Sequence, residues 1–223
     1  MKEKLHRKFA VVIVVLISIA MVVSGGAMFF SGSGVPSTNS NTSTNAPNAA
    51  ADYQAEKARI AAMVKQAKVD PGNIPLQTAL GNGYYNAGRE ALNVAPSEVQ
   101  ENFKNAVEAY QKVLKTNKDP NIIVDMATSA FYSGDYDLAE KSFNEALVIK
   151  PDFINALINY GIFLSQAKQD WAGALKQWQK ALPLAQNSSD KEQIQAMISQ
   201  AQSELKTNPA AGGTSNPNPT TGK

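Results

Sequence analysis

The chain has 223 residues, with 21 basic and 19 acidic side chains, one histidine and no cysteine. The absence of cysteine excludes thiol catalysis, disulfide bridges and iron–sulfur clusters, and a single histidine cannot build a zinc finger or a histidine-based metal site. The stability of any folded part must therefore come from packing.

Basic residues are concentrated at the start of the chain. Four of them precede residue 9, against Glu3 alone, whereas residues 31–222 carry 16 basic and 18 acidic side chains. A region with this balance has no electrostatic reason to bind nucleic acid. The sequence therefore predicts no nucleic-acid partner.

Residues 9–30 form a long run without a charged residue. As a helix rising about 1.5 Å per residue, this run spans roughly 33 Å, close to the hydrocarbon thickness of a bilayer. Residues 1–8 form a basic flank, and positive flanks stay in the cytoplasm. The sequence predicts a single-pass transmembrane anchor with the remainder of the chain extracytoplasmic. A cleaved signal peptide, ending at Val23 before Ser-Gly-Gly-Ala, is the alternative and predicts a secreted protein.

The next segments differ sharply in composition. Residues 31–50 are almost entirely Ser, Asn, Thr, Gly, Ala and Pro, and residues 207–223 are similar, so both are expected to be disordered. Residues 51–69 and 189–206 instead show apolar side chains on one helical face, which predicts a helix at each end of the central region. Ser97 with Gln100, and Ser189 with Glu192, have the spacing of capping boxes at helix starts.

A pattern of small and aromatic residues returns about every 34 residues between positions 73 and 186. The middle copy contains Ala127, Ala130, Gly134, Ala139, Phe143, Ala146 and Pro151. The third copy contains Gly161, Leu164, Ala174, Trp178 and Ala181, and the first contains Gly81, Tyr84, Gly88, Ala106, Tyr110 and Val113. Small residues permit two helices to approach, and large rings fill the groove between them. The first copy carries about 13 additional residues near Arg89–Glu101, predicted to lie between its helices.

In length and in the order of these positions, the copies resemble the tetratricopeptide repeat (TPR) family. The resemblance implies an all-α fold in which about three helix pairs form a right-handed α-solenoid with flanking capping helices. The transmembrane helix predicted at residues 9–30 precedes this solenoid. The repeats would occupy residues 73–118, 119–152 and 153–186, with capping helices at 51–69 and 189–206.

In this family the first helix of each repeat lines a concave groove, and the repeats here are counted from Ile74, Pro120 and Ile154. The resemblance gives these candidate peptide-binding residues: Asn82, Tyr85, Asn86, Asn121, Asp125, Thr128, Tyr132, Asn155, Asn159, Ile162 and Gln166. Family members that clamp a C-terminal carboxylate use Lys or Arg where Thr78, Asn155 and Asn159 stand here, and Asn where Asp125 stands. A carboxylate clamp is therefore not expected.

Asparagine amides offer both a donor and an acceptor, so the four asparagines at 82, 121, 155 and 159 predict pairing with the backbone of an extended peptide. Ordinary solvated surface positions are the alternative. The pair Asp135 and Asp137 could hold a cation, but its position in a turn favours capping of the following helix.

The sequence thus predicts a protein-binding scaffold that is not an enzyme and has no cofactor or metal. It would be a membrane-tethered adaptor or assembly factor that binds an extended peptide or a helix of an envelope or exported protein. The alternatives are a secreted form, or an accessory subunit of an envelope enzyme or of a secretion or cytochrome-maturation complex. Self-assembly through the ends of the repeat array is a further alternative.

Overall fold

A computed structural model describes residues 49–209 of the chain. Within this range all regular structure is helical and there is no strand, which confirms the all-α prediction. No helix among these residues is long and apolar enough to cross a membrane. The predicted anchor at 9–30 lies outside the described range, as do the basic flank, residues 31–48 of the linker and the tail from residue 210.

Eight α-helices follow one another along residues 49–209. They are α1 (Ala49–Val69), α2 (Ile74–Val94), α3 (Val99–Leu114), α4 (Pro120–Ser133), α5 (Tyr136–Ile149), α6 (Ile154–Ala167), α7 (Trp171–Ala181) and α8 (Ser188–Thr207). Short 3-10 turns, Pro96–Glu98 and Leu182–Leu184, precede α3 and follow α7.

The helices α2, α4 and α6 begin at Ile74, Pro120 and Ile154, the residues from which the repeats were counted. Before α2, the side chain of Asn73 accepts a hydrogen bond of 3.0 Å from the backbone N–H of Leu76. Before α4, Asp119 accepts one of 2.9 Å from Asn121. Such caps satisfy amides that have no partner inside the helix, and therefore fix where it starts.

The two predicted capping boxes are wrong. Ser97 lies inside the 3-10 turn, and α3 starts after Glu98 without a side-chain cap. Asn187, not Ser189, caps α8, because its Oδ1 accepts a hydrogen bond of 2.8 Å from the backbone N–H of Asp190. Asn and Ser are nearly equal as capping residues, so their order in the sequence does not decide between them.

The chain divides into two compact units at Ser142 and Phe143, within α5. In the first unit α1 packs on α2, α2 on α3 and α3 on α4. In the second unit α6 packs on α7, and α7 on α8. The right-handed solenoid arrangement of the repeats remains a prediction.

Aromatic rings lie against glycines in both units, and the pairs of Gly81 with Tyr110 and Gly161 with Trp178 combine small and large positions of the predicted pattern. In the first unit a Cβ atom on Gly81 would lie 2.5 Å from the Tyr110 ring, and one on Gly88 would lie 2.9 Å from the Phe103 ring. In the second unit a Cβ atom on Gly161 would overlap the indole of Trp178. Tyr110, Phe103 and Trp178 are all buried.

The additional residues of the first copy do not form a loop between helices. Helix α2 has 21 residues, whereas α4 and α6 have 14 each, so the insertion continues α2 through Arg89 to Val94 before the 3-10 turn. Ala91 and Val99 from this segment are buried. The predicted interhelical insertion is therefore largely an extension of the helix.

The extension and its turn support the N-terminal helix α1. The hydroxyl of Tyr53 donates a hydrogen bond of 2.9 Å to Oε2 of Glu98, and Lys57 forms an ion pair of 2.6 Å with the same oxygen. Asn102 donates from Nδ2 to the Tyr53 hydroxyl at 2.9 Å. Since Tyr53 is also among the largest fully buried side chains, α1 is an integral part of the first unit.

Replacing Gly161 with alanine should lower the free energy of unfolding by about 1–2 kcal/mol. The added methyl group overlaps the buried Trp178 ring, which outweighs the better helix propensity of alanine. Urea unfolding followed by tryptophan fluorescence measures the change. Gly72 is the matched control, since a Cβ atom there has no neighbour closer than 3.9 Å. Equal stability of the Gly161→Ala and Gly72→Ala variants would contradict the packing described above.

Candidate functional site

Two of the predicted groove residues of the first unit, Tyr85 and Tyr132, meet at Phe103 of α3, and two more, Asn82 and Asp125, lie on the same two helices as these tyrosines. The ring of Tyr85 on α2 contacts Phe103 edge to face at 5.8 Å, and Tyr132 on α4 stacks on Phe103 at 4.8 Å. Asp125 lies seven residues before Tyr132, on the same face of α4. Asn82 lies on α2, where its Oδ1 accepts a hydrogen bond of 2.9 Å from the Tyr110 hydroxyl.

Asp125 is the chemically unusual member of this group. It is half-buried, and its carboxylate forms no hydrogen bond or ion pair with any residue in the 49–209 range. Burial, reinforced by the negative charge of Asp119, raises the pKa of Asp125 from 3.8 to about 6, while Arg89 acts in the opposite direction. An ionised carboxylate without a partner in such a position is unfavourable.

The neighbouring tyrosines are neutral at physiological pH. Burial, followed by the charge of Asp125, raises the pKa of both Tyr85 and Tyr110. Burial also raises the pKa of Tyr132, with Arg89 opposing the shift. These phenols can therefore offer hydrogen bonds and ring surface, but no charge.

The other first-unit candidates differ in what they can offer. Asn86 is exposed, and Asn121 is exposed but donates to Asp119 from both its backbone N–H and its side-chain Nδ2, each at 2.9 Å. Thr128 is buried, and its hydroxyl donates to the Val124 carbonyl at 2.9 Å, so this hydroxyl has no free hydrogen to donate to a ligand. A threonine in a helix commonly satisfies its hydroxyl in this way.

In the second unit, four candidates lie along one face of α6. Asn155, Asn159, Ile162 and Gln166 are all half-buried. The side chains of Asn155 and Asn159 form no hydrogen bond with other residues of the described range. The Gln166 Oε1 is buried and also lacks a partner there. This face of α6 thus carries unused donors and acceptors beside one apolar side chain.

The sequence interpretation missed Arg89 and Phe103 as members of the first-unit site. Arg89 was placed in the insertion, yet it lies one helical turn after Tyr85 because α2 continues through it. The spacing of four residues between Tyr85 and Arg89 was the available signal. Phe103 could be recognised only through its contacts with Tyr85 and Tyr132.

Of the pair Asp135 and Asp137, Asp135 has a structural role as a helix cap. Oδ1 of Asp135 accepts a hydrogen bond of 3.1 Å from the backbone N–H of Leu138, which caps α5 as predicted. Within residues 49–209 no group of three or more His, Asp or Glu side chains is placed to hold a metal ion.

The Asp125→Asn variant should be more stable than the parent at pH 7.5, by about 1–3 kcal/mol, and nearly equal to it at pH 4. The pKa of Asp125 is higher in the folded chain than in the unfolded one, so the folded state loses stability as pH rises from about 4 through about 6. The neutral amide removes this cost. Urea titrations at both pH values measure the difference.

The exposed Asp152 provides the control for that measurement. Asp152→Asn should change the free energy of unfolding by no more than about 0.5 kcal/mol at either pH. A stability difference for Asp125→Asn that stays constant between pH 4 and pH 7.5 would show that the carboxylate is not held in an unfavourable environment.

Comparison with known proteins finds matches among solved structures. No protein-family model matches the sequence, and no curated protein sequence matches it either. Among solved structures, the crystal structure of MamA protein aligns with a TM-score of 0.45 at 12% identity, covering 75% of this chain and 92% of that one. Another crystal structure of MamA aligns with a TM-score of 0.41 at 11% identity, covering 76% and 99%.

Proposed function

We propose that this chain is a non-catalytic, protein-binding adaptor that is tethered to a membrane. The exposed faces of α2 and α4 in the first unit, and of α6 in the second, each provide a binding surface, and the partners are segments of exported or envelope proteins. The observation that supports this most directly is the face of α6. The buried Oε1 of Gln166 has no partner in the described range, which is costly unless another molecule satisfies it, and Asn155 and Asn159 on the same face offer further donors and acceptors.

The spacing on α6 fits an extended peptide. Asn155 and Asn159 are one helical turn apart, roughly 6 Å along the axis. Two residues of an extended chain span roughly 6.6–6.8 Å, so alternate backbone groups of a peptide recur at nearly the same distance. Each amide can donate to a carbonyl and accept from an N–H. Ile162, one turn further along the same face, adds apolar contact.

The membrane tether is inferred from sequence alone. Residues 9–30 have the length and composition of a transmembrane helix, and the basic flank at 1–8 favours a cytoplasmic N-terminus. A flexible linker of about 20 residues reaches about 25 Å, so the helices of residues 49–209 would lie near the extracytoplasmic face of the membrane.

Replacing Asn155 and Asn159 with alanine in the full-length chain should reduce the recovery of its main co-purifying proteins several-fold. The double variant removes the two unpartnered amides from α6 and leaves its buried residues intact. Affinity capture from membranes of the native host, followed by mass spectrometry, measures recovery. Asn117→Ala, at an exposed position between α3 and α4, is the matched control. Unchanged recovery with the double variant would remove α6 from the binding surface.

Trypsin added to host cells with a permeabilised wall should digest the helical region of the full-length chain before lysis. The described residues carry many lysines, and the proposed topology places them outside the membrane. Immunoblotting measures the loss, with a cytoplasmic protein as the control for membrane integrity. Protection until lysis would reverse the orientation, and release of the chain by an alkaline carbonate wash would contradict the tether.

A further inference from the structure

The helices α1 and α3 of the first unit end on the same side of it. Short turns at 70–73 and 95–98 connect α1 to α2 and α2 to α3, and each consecutive pair packs together, so α1 and α3 run in the same direction. Their starts meet where Nδ2 of Asn102 donates to the Tyr53 hydroxyl at 2.9 Å. Their C-terminal turns therefore lie together at the other end of the unit.

Lysine side chains are concentrated at this end. Four are exposed in or directly after the last turns of α1 and α3, namely Lys65, Lys68, Lys112 and Lys115. These four form no ion pair within residues 49–209. Lys118 follows in the turn before α4, and the acidic residues here are Asp70 and Asp119, of which Asp119 caps α4. This region, called the lysine end below, therefore has five positive and two negative charges.

An exposed apolar side chain lies within the lysine end. Val69, the last residue of α1, is 87% exposed, the largest fraction of any large hydrophobic side chain in the described range. A lysine in the last turn of a helix complements the helix dipole, but the dipole does not account for a valine in water. Lysines around an exposed apolar side chain suit a lipid surface, where the apolar group enters the interface and the cations meet phosphates.

We propose that the lysine end binds the anionic phospholipid headgroups of a membrane. The inference rests on the proposed tether, which keeps the first unit near a bilayer, and it adds an orientation. The last turns of α1 and α3 face the membrane, and the turn at 95–98 points away from it.

The distribution of the lysines favours a charged plane over a single anion. Packed helices lie 8–10 Å apart, so α1 and α3, which both pack on α2, end up to roughly 20 Å from each other. Ammonium groups spread over this distance do not converge on one phosphate, whereas a bilayer offers phosphates across the whole end. Duplex nucleic acid also presents many phosphates, but it has no apolar layer for Val69.

The linker is long enough for this orientation. Helix α1 begins at Ala49, on the side of the unit opposite the lysine end, and its 21 residues cover roughly 31 Å. Residues 31–48 can span up to about 60 Å when fully extended. A helix at residues 9–30 can therefore cross the bilayer while the lysine end lies on its surface.

The test places the full-length chain in vesicles of phosphatidylcholine, with or without phosphatidylglycerol, at low and at high salt. The chain has no cysteine, so one introduced cysteine can carry a fluorescent label. Gly72→Cys labels the lysine end, since a Cβ atom there has no neighbour closer than 3.9 Å. Ser97→Cys labels an exposed position at the opposite end. Quenching by a lipid with a spin-labelled headgroup shows which end lies on the membrane.

We expect the Gly72→Cys label to be strongly quenched on vesicles that contain phosphatidylglycerol. It should be weakly quenched on phosphatidylcholine alone and in high salt, which screens exposed charges. The Ser97→Cys label should be weakly quenched throughout. Each lysine near an anionic surface contributes about fivefold, so changing four of them to glutamine should shift the contact equilibrium by roughly several hundredfold and abolish the quenching. The four are Lys65, Lys68, Lys112 and Lys115.

Two further variants separate local contact from total charge. Val69→Ser should weaken the quenching several-fold, because it removes the apolar group from the interface. The matched control changes four exposed lysines of the second unit to glutamine and should leave the quenching unchanged. These are Lys176, Lys180, Lys191 and Lys206.

The inference is overturned if both labels are quenched equally, if phosphatidylglycerol has no effect, or if the fourfold lysine-end variant behaves like its matched control. Tighter binding of the lysine end to duplex DNA than to the vesicles, at equal phosphate concentration, would overturn it in favour of nucleic acid. The tether has a separate readout, because a spanning helix keeps the chain on floating vesicles in high salt. Failure of the lysine end is therefore distinguishable from failure of the proposed function.

Discussion

The close packing of an aromatic ring against a glycine is the interaction on which the described structure depends. It sets the separation of α2 and α3 through Gly81 and Tyr110, and that of α6 and α7 through Gly161 and Trp178. The same rings also position polar groups. The Tyr110 hydroxyl donates a hydrogen bond to the side-chain Oδ1 of Asn82, and Trp178 donates from Nε1 to the backbone carbonyl of Ile158 at 3.1 Å. Helix packing and the orientation of surface side chains are thus coupled through one kind of contact.

Features set by local and periodic signals could be predicted from the sequence. The helix starts at Ile74, Pro120 and Ile154 follow from the register of the repeats, and the pairs of Gly81 with Tyr110 and Gly161 with Trp178 follow from the recurrence of small and large positions. The end of α2 could not be predicted in the same way. The residues after Gly88 are compatible with a helix or a loop, and the helical choice depends on burial of Ala91 and on the turn that contacts Tyr53.

The candidate site was predicted in part for the same reason. The resemblance to the repeat family named Tyr85, Asp125 and Tyr132, and the structure brings the rings of Tyr85 and Tyr132 together at Phe103. The absence of a partner for Asp125, the approach of Arg89 and the ring of Phe103 all depend on how three helices pack, and no pattern within one helix reveals this. Thr128 has the expected spacing, but its hydroxyl already donates to a carbonyl of its own helix, which the spacing does not reveal.

Because α2 is lengthened, the helix pairs of this protein are not fully independent modules. The first-unit site takes Tyr85 and Arg89 from one helix pair, Phe103 from the second helix of that pair, and Asp125 and Tyr132 from the next. Transplanting the middle pair into another helical array would carry the carboxylate and one tyrosine, but would leave the other ring, the guanidinium and the supporting phenylalanine behind. A consensus sequence averaged over the three copies would erase the site while preserving the contact that Gly81 makes with Tyr110 and Gly161 makes with Trp178. These side chains belong to a junction between copies, which is where individuality can arise in a chain built from a repeated plan.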